Sequence, residues 1–107
     1  MSVTDVNKID GVAINKEGNK LMLLITDHLD WSNEYEHLLQ LQDKVNAYVG
    51  YIENRQYNEI YPNNAFVSFC VEIHFLHQPT SNCMKFIDVI SEQLKEHDIF
   101  VEAVTSK

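Results

Sequence analysis

The chain has 107 residues, too few for a second core when domains run to about 150 residues. Its 45% hydrophobic and 22% charged content lies near the globular mean and excludes disordered and fibrous classes. Eight Lys and Arg against sixteen Asp and Glu give a net charge of −8, which argues against nucleic acid as a partner, because that affinity depends on basic residues neutralising phosphates. An acidic surface suits solubility, or docking onto a basic protein whose approach it steers.

Residues 1–10 carry neither a basic n-region nor an apolar h-region, and no window approaches the roughly 18 apolar residues of a membrane span. The expectation is a cytoplasmic protein. Cys70 and Cys83 lack CxxC spacing and read as reduced core thiols, with neither a metal nor another cofactor expected.

In chain order, Val12-Ala13-Ile14 and Leu21 to Ile25 flank a loop containing Gly18, which predicts a β-hairpin with a positive φ at the glycine. Leu21, Leu23 and Ile25 share one face of the second strand and Met22, Leu24 and Thr26 the other, so that strand is central. From about Asn33 to Asn54 the period changes. Tyr35, Leu38, Leu39, Leu41, Val45, Tyr48, Val49 and Ile52 recur at three- and four-residue steps and define the buried stripe of a long helix. Ser32 or Asn33 caps it, and Gly50 marks either close packing or early fraying.

Arg55 to Asn64 is a polar connection closed by Pro62-Asn63-Asn64. Phe66 to His77 alternates with period two, setting Val67, Phe69, Val71, Ile73 and Phe75 against Ser68, Cys70, Glu72, His74 and Leu76. After a turn at Pro79 to Asn82, Cys83, Phe86, Ile87, Ile90 and Leu94 form the stripe of a second helix capped by Ser81, and Ile99 to Val104 make a last strand. The order β-β-α-β-α-β in a single domain over 1–107 predicts an α/β (α+β) two-layer sandwich. Right-handed crossovers put both helices on one face of a four-stranded mixed sheet. The other face is too apolar for plain solvent surface, which points to a sheet-to-sheet homodimer.

Chemistry-bearing residues gather where the second strand ends, at Ile25-Thr26-Asp27-His28-Leu29-Asp30-Trp31. Strand parity sends Asp27 and His28 to opposite faces, so His28 and Asp30 are the better pair. Parallel pairing of the second and third strands brings Glu72 and His74 towards them, and His28, Asp30, Glu72 and His74 form the candidate metal or acid–base cluster. The structural alternative has Asp27 or Asp30 accepting turn N–H groups, His28 bonded to backbone, and Trp31 stapling the helix start. Tyr48 belongs to the core stripe, leaving Tyr51, Tyr57 and Tyr61 as a recognition patch. Cys70 lies two strand steps from His74, too far for a nucleophile and its base. No Gly-rich phosphate loop, GxSxG or HExxH motif occurs.

The Ile25 to Trp31 motif, continued by the run His37-Leu38-Leu39-Gln40-Leu41-Gln42-Asp43-Lys44-Val45-Asn46-Ala47-Tyr48 and by Tyr51-Ile52-Glu53, resembles an uncharacterised family of small bacterial proteins, a domain of unknown function. The resemblance covers the hairpin, the junction and the long helix, and more loosely the third strand and second helix. It implies no catalytic or binding residue. The family pattern ends this helix near a Phe-Ile-Glu-Ser-Gly-type segment, where Tyr51-Ile52-Glu53-Asn54-Arg55 here lacks the glycine.

The functional reading is a non-enzymatic protein-interaction module, adaptor or immunity-like, binding a protein partner or itself as a homodimer, with no nucleic acid and no membrane. Its interface candidates are Met22, Leu24, Cys70, Leu76, Tyr51 and Tyr57. The alternative is a metal-dependent or acid–base enzyme using His28, Asp30, Glu72 and His74.

Overall fold

A computed structural model describes residues 3–5 and 8–105. Strand β1 (Gly11–Ile14) pairs antiparallel with β2 (Lys20–Asp27), and Gly18 in the loop between them takes a φ of 74°. Helix α1 (Glu34–Glu53) crosses to β3 (Ser68–Phe75), and α2 (Ser81–Leu94) crosses to β4 (Ile99–Thr105). β2, β3 and β4 run parallel, so the mixed sheet has the order β1-β2-β3-β4. Two short 3-10 turns, Gln56–Glu59 and Lys95–His97, follow the two helices. No helix of the described residues is long and apolar enough to cross a membrane.

Parity builds a single core. Leu21, Leu23 and Ile25 of β2, Phe69, Val71, Ile73 and Phe75 of β3, and Ile99 and Val101 of β4 are buried in one cluster with Leu41, Val45, Tyr48 and Ile52 of α1 and Cys83 and Ile87 of α2. Each fully buried aliphatic side chain contributes on the order of 1.5–3 kcal/mol. The opposite face of the sheet has no covering layer among the described residues.

Helix α1 departs from its predicted stripe. Tyr35 is 74% exposed and Leu39 lies outside the core, while His37 and Lys44 are buried at 2% and 0%. The true stripe runs 37, 41, 44, 45, 48, 52, and polarity at two of its positions masks it. Asn33 caps the helix through its side chain to the Glu36 N–H. Thr80, not Ser81, caps α2 by accepting from the Cys83 N–H at 3.1 Å.

Gly50 serves neither expected purpose: the helix continues to Glu53, and a Cβ at Gly50 would meet nothing within 4 Å. The glycine absent from the end of this segment matters more. Arg55 stands there in the left-handed region at φ 56°, the conformation that helix C-termini normally assign to glycine.

Residues 3–5 and 8–10, ahead of β1, are strapped onto the fold. Val3 is fully buried and its N–H donates to the Thr26 carbonyl at 2.8 Å. Lys44 donates to the carbonyls of Asp5 and Lys8 and pairs with the Asp10 carboxylate at 3.0 Å. The same carboxylate accepts from the Thr26 N–H at 2.9 Å, and the Tyr48 hydroxyl accepts from the Asp10 N–H while donating to the Leu24 carbonyl. A buried ammonium is tolerated only with such a full set of acceptors.

Candidate functional site

Two places bring histidine and carboxylate together. The first is the junction where β2 hands over to α1. Asp27, the last residue of β2, points to the helix side and is 1% exposed. Its carboxylate meets His37 Nε2 at 2.6 Å and accepts from the Leu29 N–H at 3.2 Å. His37 Nδ1 lies 3.0 Å from the Asp30 carbonyl, which can only accept, so Nδ1 donates there while Nε2 faces the Asp27 carboxylate. Trp31 stacks on the imidazole with ring centroids 3.6 Å apart, and Phe75 lies behind it at 6.2 Å from Trp31. A catalytic imidazole keeps one nitrogen free for the reacting group. Here both are engaged, and the ring is sealed.

Trp31 stands two residues before the Asn33 cap, one further out than a staple residue, and packs on the first turn by stacking on His37. His37 is the fourth residue of α1, the position a staple contacts. Cys83 is fully buried, and its thiol is pushed up to about 12 by burial and by the nearby carboxylates of Asp27 and Glu34.

The sequence-predicted cluster is not brought together as a unit. Asp30 is exposed, and its carboxylate is spent on the Ser32 N–H and hydroxyl, which hold it below the usual carboxylate range. His28 is exposed, with no hydrogen bond to the backbone among the described residues. Glu72 and His74 do meet, His74 Nε2 lying 3.2 Å from Glu72 Oε1, with side chains 33% and 39% exposed. This is the second histidine–carboxylate pair, and it sits on the uncovered face of the sheet.

That face takes its composition from parity as well. Met22 and Leu24 of β2, Cys70, Glu72 and His74 of β3, and Phe100, Glu102 and Val104 of β4 alternate with the core residues. Phe100 and Val104 are 39% and 40% exposed and Leu76, just past β3, is 56%. Gly11, Ala13, Met22, Leu24, Glu72 and His74 line a shallow hollow of about 340 Å³ over β1 and β2.

Towards the β4 edge of the face, Glu72 and Glu102 are direct register partners. Cys70, Glu72 and Glu102 each place one ligand-type atom within 4.8 Å of the other two. Cys70 is 4% exposed, and its thiol is pushed up to about 11 by burial and by the carboxylates of Glu102 and Glu72. That protonation agrees with its reading as an unreactive reduced thiol.

Of the interface candidates, Met22 and Leu24 are half-buried and Leu76 is open, whereas Cys70 is recessed. Tyr57 is 8% exposed, packed against Phe66 and Phe69 with ring centroids at 5.5 and 5.3 Å. It belongs to the core, where the apolar residues of the connection fold under the sheet. Tyr51 packs beside it at 6.4 Å. The residues that sequence reasoning passed over are His37, Lys44 and Glu102. His37 stands four before Leu41 and Lys44 four before Tyr48, so helical spacing alone carries their signal. Glu102 becomes visible only once β3 and β4 are set in register.

No curated protein and no solved structure matches the chain. The sequence profile of a family of unknown function (DUF6572) matches residues 1–107, and the chain belongs to that family.

Proposed function

We propose that the chain is a protein-binding module that works through the sheet face its helices leave uncovered, and that its partner there is a second copy of itself. The observation that carries this reading is the exposure of Phe100, Val104 and Leu76 on the face that also presents Met22 and Leu24. A one-sided antiparallel or mixed sheet ordinarily solvates its free face with polar side chains. Here Met22 and Leu24 on β2 and Phe100 and Val104 on β4 surround a polar strip, Glu72, His74 and Glu102, that reaches the β4 edge. Pairing of that patch with its own copy takes a two-fold axis, the commonest symmetry of homo-oligomers.

An adaptor or immunity-like role is the concrete form of this proposal. It draws on the net charge of −8, which steers a basic protein towards the assembled module. Sedimentation equilibrium over a wide concentration range tests the self-association. The expected result is a dimer for the parent chain and a monomer for Phe100→Glu, with unchanged circular dichroism. A parent chain that stays monomeric at high concentration overturns the reading.

A further inference from the structure

We propose that Cys70, Glu72 and Glu102 form a binding site for a zinc-type divalent cation on the β3–β4 side of the uncovered sheet face, with His74 orienting Glu72. Neighbouring parallel strands deliver the three donors. Cys70 and Glu72 stand two apart on β3 and therefore share a face, while Glu102 is the direct register partner of Glu72 on β4. Their ligand atoms already lie within 4.8 Å of one another. Four-coordinate zinc, with bonds of about 2.0–2.3 Å, sets its ligand atoms about 3.3–3.8 Å apart. Closing that difference takes at most about 1.5 Å of movement, within reach of rotation of the glutamate side chains.

The donor types select the ion. One sulfur with two carboxylate oxygens suits zinc, whereas magnesium and calcium take all-oxygen sites. Charge gives an independent reason for a cation. Like charges directly opposite on adjacent strands are destabilising, yet Glu72 and Glu102 form no ion pair with Lys or Arg among the described residues. Lys20 is close enough for its field to act on Cys70, but it does not bridge the carboxylates. A bound dication turns the repulsive pair into co-ligands and stabilises the Cys70 thiolate, releasing its proton to solvent. His74, at 3.2 Å from Glu72, supplies the outer-shell hydrogen bond that fixes a ligating group.

The site does not depend on self-association and is tested on the full chain whatever its oligomeric state. The untagged protein is titrated with Co²⁺, whose bond to a thiolate gives a charge-transfer absorption in the near ultraviolet. The expected result is that absorption saturating at one ion per chain, bleached by Zn²⁺ and indifferent to excess Mg²⁺. It is absent in Cys70→Ser and present in Cys83→Ser. Glu102→Gln weakens binding by at least about 10-fold, and His74→Gln by about 10-fold. Glu102 is exposed, so its substitution leaves the fold intact and the test decisive even where Cys70→Ser fails to fold. Absence of the absorption, its survival in Cys70→Ser, or parental affinity in Glu102→Gln overturns the assignment.

Discussion

Two histidine–carboxylate pairs stand among the described residues, each beside a cysteine, and they differ in nearly every physical respect. Asp27 and His37 are sealed between β2 and α1, both ring nitrogens are bonded, and Trp31 covers the ring. Glu72 and His74 lie on the uncovered face, a third or more exposed. In the first pair each group has replaced its lost hydration with a partner, so the pair fixes the angle at which the helix leaves the strand. In the second, water screens the interaction and leaves both groups available to something else. Identical side-chain chemistry is thus locked into the architecture in one place and left open to solvent in the other, and burial makes the difference.

That contrast breaks down unless the two pairs respond differently to mutation. Replacing His37 by Ala strands a buried carboxylate and removes the Trp31 stack, and is expected to cost about 3–5 kcal/mol. Urea denaturation followed by Trp31 fluorescence measures it. Lys44→Met asks whether burial, rather than histidine, is the cause: it leaves Asp10 without its cation and should cost about 3 kcal/mol by the same assay. Gly50→Ala is a calibration in the opposite direction, stabilising by about 1 kcal/mol because the helix interior there is open. Glu72→Gln, at the exposed pair and without added metal, should change stability by less than about 0.5 kcal/mol.

A pH experiment separates the sealed region in another way. A thiol that the fold keeps neutral stabilises the protein fully below its ordinary value of 9.0, and that contribution is lost as pH climbs towards the folded value. For Cys83, pushed up to about 12, stability should fall between pH 9 and 12. Tyr48, also raised by burial, adds to the decline with the same sign. Cys83→Ala should flatten part of the slope in denaturation curves taken across that range.

The element order, the sheet's two faces and the single core were legible because apolar periodicity records them directly. The strand Leu21 to Ile25 and the α2 stripe through Cys83 and Ile87 carry no polar interruption. Periodicity failed at α1, where His37 and Lys44 occupy core positions and Tyr35 and Leu39 do not. Hydropathy assigns a polar residue to solvent, whereas a polar residue with a complete set of partners can sit anywhere. At the junction, parity separated Asp27 from His28 correctly, but the histidine that joins Asp27 comes from one turn inside the helix. Of the four-residue cluster only Glu72 and His74 touch, because His28 and Asp30 lie beyond the last ladder pair of β2.

The strap formed by residues 3–5 and 8–10 has a consequence for how the chain holds together. Lys44 binds it much as a receptor binds a peptide, through two carbonyls and a carboxylate. The segment is in effect a tethered ligand, held at high effective concentration by the hairpin that follows it. Detaching it exposes an ammonium with no acceptors, so the strap and the middle of α1 should exchange their amide hydrogens as one cooperative unit.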